Sequence, residues 1–388
     1  MHVRNHLRCV RRWDLAATTA FMLGMALFGT EAHAQEHGRY AMSAPIDDSD
    51  YKLATFDLSA LPAYEPQAGI TGTVRIAGTP LDRLVGTWND AFKAYQKRAR
   101  FTTYLTNTSQ ALAALTQDQA DVGIMGHQAW RNSLIGFRAM YGYDPLEIKF
   151  AKGSFDDPEG STPAIVFFVN KDNPLKAISI DQIDGVFGAE RTGGWSGLTW
   201  STAAARGPEG DIRSWGQMGL GSDWAARKIH VYGTDVTLSN WADLIEKVAF
   251  RGGTKWNPAL HEGPRADVIV GTHDKQIIAG VANDRDGIGF MFQRVINAMK
   301  ADVRVLPVVD RAGRVIAPSN ASVFDSSYPF HNAVYLYFNR VPGQPLSPMQ
   351  REYARFILSR EGQAIVAQDR RFIPLNADEI REELRKLD

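Results

Sequence analysis

Three short stretches set hydroxyl or amide side chains directly before helical runs. They are Thr79-Pro80, Asn107-Thr108-Ser109 and Thr237-Leu238-Ser239-Asn240. The first N–H groups of a helix lack partners within it, and the helix dipole favours negative charge there. Such starts suit a small dehydrated anion, which needs many oriented donors in place of its water. Arg83, His127 and Arg131 offer compensating positive charge, and a cleft histidine makes affinity depend on pH. Each stretch is equally an ordinary N-cap, and Arg83 and Arg131 are equally at home on a solvated helix face. Trp195, Trp200, Trp215 and Trp224 suit either the lining of a cleft for a larger organic ligand or plain packing.

Covalent and metal chemistry find no matching pattern. His261-Glu262 lacks the second histidine of a zinc-protease helix, and Gly194-Trp195-Ser196-Gly197 is one residue too tight for a nucleophile elbow. Histidines are scattered singly, and no Walker loop or GxGxxG follows a strand. Asp284-Arg285-Asp286-Gly287 lacks the later ligands of a calcium loop and reads as a turn. The expectation is a binder rather than an enzyme, with no cofactor and no metal.

The elements that must position these residues follow from periodicity. Thr73 to Ala77, Phe101 to Leu105 and Asp121 to Met125 read as strands. Helices follow each of them. The first carries Leu84, Val85, Trp88, Phe92 and Tyr95 at helical spacing, and the third reaches about Tyr141. This alternation predicts a mostly parallel, doubly wound α/β lobe, with ligands collecting at the carboxyl ends of its strands. Ile165 to Val169 is apolar throughout, as in a strand buried on both faces, and Ser179 with Gln182 forms a capping box. Residues 193 to 221, rich in Gly, Ser and Trp, read as a long loop. Lys228 to Tyr232 and Ile288 to Phe292 read as strands, Ser239 to Phe250 and Thr272 to Asn283 as helices. Tyr328 to Asn339 reads as a long aromatic strand, and Ser347-Pro348-Met349-Gln350 opens a helix.

The chain has 388 residues and balanced charge, 43 basic against 43 acidic. No basic stripe is evident, which argues against nucleic acid or an anionic membrane surface as partner. Residues 1–34 read as a secretory leader. Arg4, Arg8, Arg11 and Arg12 precede an apolar run from Leu15 to Phe28, and Ala32-His33-Ala34 closes it. The one cysteine, Cys9, lies ahead of that run, so the mature chain is expected to begin at Gln35 without thiols. No other stretch is apolar for long enough to insert stably in a bilayer. The expected product is a monomer, periplasmic or secreted.

Five pieces occur together in one order: Ala120-Asp121-Val122-Gly123-Ile124-Met125, Phe168 to Pro174, Ile229-His230-Val231-Tyr232-Gly233, Gly287-Ile288-Gly289-Phe290, and YPFHNAVYLYFNRVPGQPL with LSREGQAIVAQD. In this the chain resembles the PstS-like, phosphate-type substrate-binding proteins of bacterial ABC transporters, over roughly Thr71 to Leu375. The resemblance implies a two-lobed α/β clam, each lobe a mixed five-stranded sheet flanked by helices, joined by two crossing strands. Residues 71–162 with 330–388 would form lobe I and 163–329 lobe II, behind an N-terminal arm at 35–70. It also implies a small anionic or polar ligand trapped between the lobes, and an ABC permease as partner. The three helix starts, at Thr79, Pro80, Asn107, Thr108, Ser109, Thr237, Ser239 and Asn240, fall at the family's contact positions, and Arg83 and His127 join them as candidate ligand-binding charges. Departures are equally specific. Thr234 stands where the family carries an arginine, Gly126-His127 where it carries a cleft Asp or Arg, and Asn107-Thr108-Ser109 in place of a Gly-rich loop. Loss of the arginine removes a charged fork, and loss of the carboxylate removes the acceptor that favours protonated phosphate over sulfate. High-affinity phosphate binding therefore does not carry over. The rival expectation is an exported interaction or sensor protein on the same fold, with a drifted cleft. A hydrolase on this scaffold lacks a nucleophile and base.

Overall fold

The structure, a computed structural model, describes residues 55–155, 164–233, 240–260, 273–369 and 371–388. The expected leader, Thr234, Thr237 and Ser239 lie outside the described residues.

Lobe I opens with β1 (Gly72–Gly78), α1 (Asp82–Tyr95), β2 (Ala99–Tyr104) and α2 (Gln110–Thr116). It continues through β3 (Val122–Met125), α3 (Arg131–Tyr141) and β4 (Leu146–Gly153). The chain then enters lobe II with β5 (Ile165–Asn170), β6 (Ile178–Ser179), α4 (Ile180–Phe187) and a hairpin of β7 (Gly194–Ser196) and β8 (Thr199–Ser201). Next come β9 (His230–Tyr232), α5 (Asn240–Val248), α6 (His273–Asn283), β10 (Gly287–Phe292) and α7 (Gln293–Met299). Lobe II ends with β11 (Val303–Leu306), β12 (Val308–Val309), β13 (Val315–Ile316) and α8 (Asn320–Phe324). The return to lobe I adds β14 (Ala333–Phe338), α9 (Pro348–Ile357), α10 (Arg360–Gln368), β15 (Phe372–Ile373) and α11 (Ala377–Arg385).

Lobe I is built on a six-stranded sheet in the order β15-β4-β14-β3-β1-β2. β1 runs parallel to β2 and β3, while β14 is antiparallel to β3 and β4. Alternation along the strands sends side chains to two cores. Val74, Ile76, Val122 and Ile124 meet Leu84, Val85, Trp88 and Phe92 of α1 and Tyr353, Phe356 and Ile357 of α9. Ala77, Met125 and Tyr337 face Leu112 and Leu115 of α2 and Phe137 of α3 on the other side. Each fully buried large side chain contributes about 1.5–3 kcal/mol, and Trp88 and Phe92 are wholly buried. Tyr95, expected on the same stripe, is 45% exposed because α1 ends there, beyond the sheet.

Lobe II is centred on a four-stranded sheet, β11-β5-β10-β9, with a small β13-β12-β6 sheet beside it. β5 is buried along its whole length, as its uninterrupted apolar run predicts. The mixed α/β architecture is as expected, but the strand counts differ from five and five. The two-residue β15 joins the edge of the first sheet. In lobe II, Pro307 breaks the run between β11 and β12, and the two strands join different sheets. The 193–221 loop likewise holds the β7-β8 hairpin.

The crossing lies where Gly153 and Ile165 donate backbone hydrogen bonds to Asn332 (2.8 Å) and Phe330 (2.9 Å). The aromatic strand expected from Tyr328 therefore begins only at Ala333, its first residues forming this connection. Lys152, wholly buried at the end of β4, joins Glu379 of α11 at 2.6 Å and donates to the carbonyl of Phe324 at 2.9 Å. Burial pushes the Glu379 carboxyl up, but Lys152 and Lys149 outweigh it and hold it down at about 2. Burial in turn draws the Lys152 ammonium below its ordinary range, against the pull of Glu379. With the ammonium groups of both Lys149 and Lys152 facing the one carboxylate, the pair is ionised at neutral pH.

Candidate functional site

The carboxyl ends of β1 and β3 meet at Gly78-Thr79. Gly78 holds a φ of +135°, and a Cβ there would lie 2.0 Å from the Ile124 carbonyl oxygen, so no other residue fits. Thr79 is buried. Its Oγ1 accepts from the Gly126 N–H at 2.9 Å, lies 2.9 Å from Thr108 Oγ1, and is 3.2 Å from the Ile124 carbonyl. Its backbone N–H donates to the same carbonyl at 2.9 Å. One hydroxyl thereby ties together the loops that follow three parallel strands.

Thr79 was expected as a helix cap, and the structure corrects this. α1 begins at Asp82 behind Leu81, which makes no side-chain cap bond, and Pro80 sits exposed in the turn between. Ser109 is likewise not a capping acceptor. Its hydroxyl donates to Asn107 Oδ1 at 2.7 Å, and its N–H donates to the same oxygen at 2.9 Å. Short-range pairing with Asn107 wins because the hydroxyl is two residues from a better acceptor. α3 starts behind Trp130, again without a side-chain cap. Thr79, Pro80, Asn107, Thr108 and Ser109 are thus gathered at one edge, with the starts of α1, α2 and α3 around them. Of the lobe II candidates, Thr237 and Ser239 lie outside the described residues and Asn240 opens α5.

The three candidate charges behave differently. Arg83 is 60% exposed and turns toward the buried carboxylate of Asp369, 3.5 Å away. His127 stacks against Trp130 at 5.2 Å and is half-buried. Burial lowers its pKa, outweighing the hydrogen bond to the Gln128 carbonyl and the charge of Asp243. It is therefore neutral at neutral pH and supplies no charge, contrary to expectation. Its Nδ1 lies 2.7 Å from that carbonyl, which can only accept, so the proton sits on Nδ1 and Nε2 is the bare acceptor. Arg131, at the first position of α3, places its guanidinium 5.2 Å from the ring centre of Trp195 in lobe II.

Residues that the sequence does not single out complete the rim. Lys247 on α5 donates to Gln128 Oε1 at 3.1 Å, and Gln128 donates to Glu147 at 2.9 Å. Glu246, one position earlier, accepts from Trp256 Nε1 at 2.7 Å. Burial pushes its carboxyl up to about 7, against that hydrogen bond and the charges of Arg131 and Lys247. The amphipathic pattern of α5 was the available signal, but nothing local indicates which polar residues of its exposed face meet the other lobe. Of the four tryptophans, Trp215 is wholly buried with Trp224 edge-on at 5.9 Å, while Trp200 packs edge-on to Trp195 at 5.2 Å. Only Trp195 of these is seen to engage lobe I. Asp284 and Asp286, in the turn before β10, are occupied by His230, Tyr232 and Arg227. Among the described residues no helix is long and apolar enough to cross a membrane.

Comparison with known proteins bears on this arrangement. Residues 63–361 match the PBP superfamily domain. The phosphate-binding protein PstS of Pseudomonas aeruginosa is 26% identical over 320 residues, spanning 82% of this chain and 88% of that protein. The protein SphX of Synechococcus elongatus is 23% identical over 215 residues, 55% of this chain and 54% of its own length. The crystal structure of PstS from Borrelia burgdorferi superimposes with a TM-score of 0.50 at 12% identity, covering 78% of this chain and 99% of that one. This last likeness concerns the fold.

Proposed function

The chain belongs to the PBP superfamily, and from that premise we propose that it captures a phosphate-like oxyanion between its lobes for an ABC importer. The observation that carries this reading is the carboxyl edge of β1, β2 and β3. There α1 and α3 begin without side-chain caps on either side of the Thr79 hydroxyl. Unpaired helix N–H groups and hydroxyls are the donors an anion needs. From lobe I, Thr108 and the starts of α1 and α3 contribute, while Thr79 and Ser109, whose hydroxyl protons go to the Ile124 carbonyl and Asn107, hold the loops in place; the segment from Thr237 to Asn240 contributes from lobe II. The relative named as a phosphate-binding protein, aligned over 88% of its length, supports phosphate as the first ligand to try and transport over a drifted cleft. Residues 1–34 direct export to the periplasm, leaving a monomeric mature chain from Gln35.

The site's chemistry sets its selectivity. His127 is neutral and no carboxylate stands at Gly126-His127, so little distinguishes a protonated oxyanion from sulfate. Calorimetry on the protein beginning at Gln35 should give weak binding of phosphate and sulfate, with similar constants. Tight phosphate binding with sulfate refused would assign the missing acid and arginine to other residues. Binding of a neutral solute but of neither anion would end the oxyanion reading.

A further inference from the structure

The two lobes touch through side chains at the cleft rim as well as through the crossing strands. On lobe I the contacts come from Gln128 and Arg131, three residues apart where the loop after β3 enters α3. On lobe II they come from Lys247 on α5 and Trp195 on β7. The Arg131 guanidinium lies 5.2 Å from the Trp195 ring centre, and Lys247 Nζ is 3.1 Å from Gln128 Oε1. We propose that these four side chains form a latch that closes the lobes on each other and thereby sets how firmly the cleft holds its ligand.

Both halves of the latch are braced from behind. On lobe I, Gln128 donates to Glu147 (2.9 Å), which also accepts from the Tyr337 hydroxyl (2.6 Å), and that oxygen accepts from the Ala129 N–H (2.8 Å). The loop is thus fixed to β4 and β14 of its own sheet. On lobe II, Lys247 pairs with Asp243 on the same helix at 2.5 Å. The Trp195 N–H donates to the Gly252 carbonyl at 2.7 Å, and the Gly252 N–H donates to the Glu246 carbonyl at 2.8 Å. Trp195 and Lys247 therefore move with one rigid piece. Two contacts between two braced pieces define an orientation, which a single contact cannot.

The contacts consist of the chain's own groups, so they bias the lobes toward closure whatever the ligand. If only the closed form holds ligand firmly, the apparent dissociation constant is the intrinsic one divided by the closed fraction. A guanidinium over an indole changes such an equilibrium by a factor of about 2 when exposed and about 30 when desolvated. The lysine contact, an exposed one, contributes a factor of about 2 or less.

The test uses the full mature chain with inorganic phosphate as probe. Small-angle scattering without phosphate should show a larger radius of gyration for Arg131→Met and Trp195→Leu than for the wild type, with Trp195→Phe, which keeps a ring, close to the wild type. Calorimetry should show phosphate held about 2- to 30-fold more weakly by the first two and near normally by the third. Thermal unfolding verifies that each variant is folded. Superimposable scattering from all four proteins without phosphate would overturn the latch. So would equal loss of affinity in Trp195→Phe and Trp195→Leu. A wild type that binds no phosphate would instead overturn the ligand assigned above, while the scattering comparison would still decide the latch.

Discussion

Lobe I contains two sets of helices that begin in opposite ways. α1, α2 and α3 start at the carboxyl ends of three parallel strands, behind Leu81, Ser109 and Trp130, and none has a side-chain cap. α9, α10 and α11 start behind Ser347, Ser359 and Asn376, and all three are capped, the first and last by reciprocal capping boxes. Lobe II caps α4 and α8 with boxes at Ser179 and Ser319 and leaves α7 uncapped behind Phe292, at the end of β10. A side-chain cap is worth about 1 kcal/mol. α4, α8, α9, α10 and α11 use it here, whereas α1, α3 and α7, which follow β1, β3 and β10, do without it, and at α2 the Ser109 N–H is bonded by Asn107 Oδ1 instead. On the function proposed above, helix starts without side-chain caps at the ligand-collecting edge leave room for an anion to add the stability that a cap supplies elsewhere.

Breaking the capped set should cost the most stability. Glu379 closes the α11 capping box and also neutralises the buried Lys152. Glu379→Ala removes both roles and leaves an ammonium without its counter-charge, so urea denaturation should show a loss of about 3–5 kcal/mol. Phosphate contacts are untouched by this change, and binding by the remaining folded protein at low temperature should persist.

Acid probes the connection between the two sets. His331 donates from Nδ1 to the Tyr328 carbonyl at 2.6 Å, and burial pushes its pKa down to about 4. The unfolded chain takes up a proton near pH 6.5, whereas the folded chain resists until about pH 4. Stability from this group is therefore full above pH 6.5 and falls by up to about 3 kcal/mol as pH drops to 4. His331→Gln should flatten that limb of a stability-against-pH curve. An unchanged curve would mean that the imidazole is solvated.

Within the uncapped set, Thr79→Val tests the hydroxyl at its centre. The Gly126 N–H would lose its acceptor, at about 1–3 kcal/mol of stability by urea denaturation. Any phosphate affinity should fall in parallel. Loss of stability with affinity intact would place the ligand elsewhere along the edge.

Trp130→Asp is the smallest change in stability and the most direct on the comparison. It supplies α3 with the cap it lacks, which should raise helix stability by about 0.5–1 kcal/mol. The same carboxylate occupies the N–H groups and repels an anion, so phosphate binding by calorimetry should weaken at least about tenfold, the counterpart of about 1.4 kcal/mol. Greater stability with unchanged binding would remove the start of α3 from the site.

What the sequence determined by itself lies within a few residues along the chain. The boxes Ser179/Gln182 and Ser347/Gln350 are readable because both partners sit three apart, and the buried stripe of α1 because helical spacing brings it to one face. β5 declared itself by the unbroken apolar run from Ile165 to Val169. β4 did not, since LEIKFAKG carries two lysines, and Lys152 is buried only because Glu379 reaches it from the last helix. The site divides in the same way. Residue types and the order of strands and helices placed Thr79, Thr108 and Ser109 near one edge. Only the tertiary structure decided that Thr79 bonds a loop 47 residues away rather than capping its own helix. It likewise decided that His127 is neutral beneath Trp130 and facing α5, and that Arg131 meets Trp195 of the other lobe. The physical reason is common to all three. Capping and periodicity are local energies written in neighbouring residues, whereas burial and long-range pairing depend on which strands lie side by side, and a sheet order of β15-β4-β14-β3-β1-β2 is set by the packing of the whole lobe.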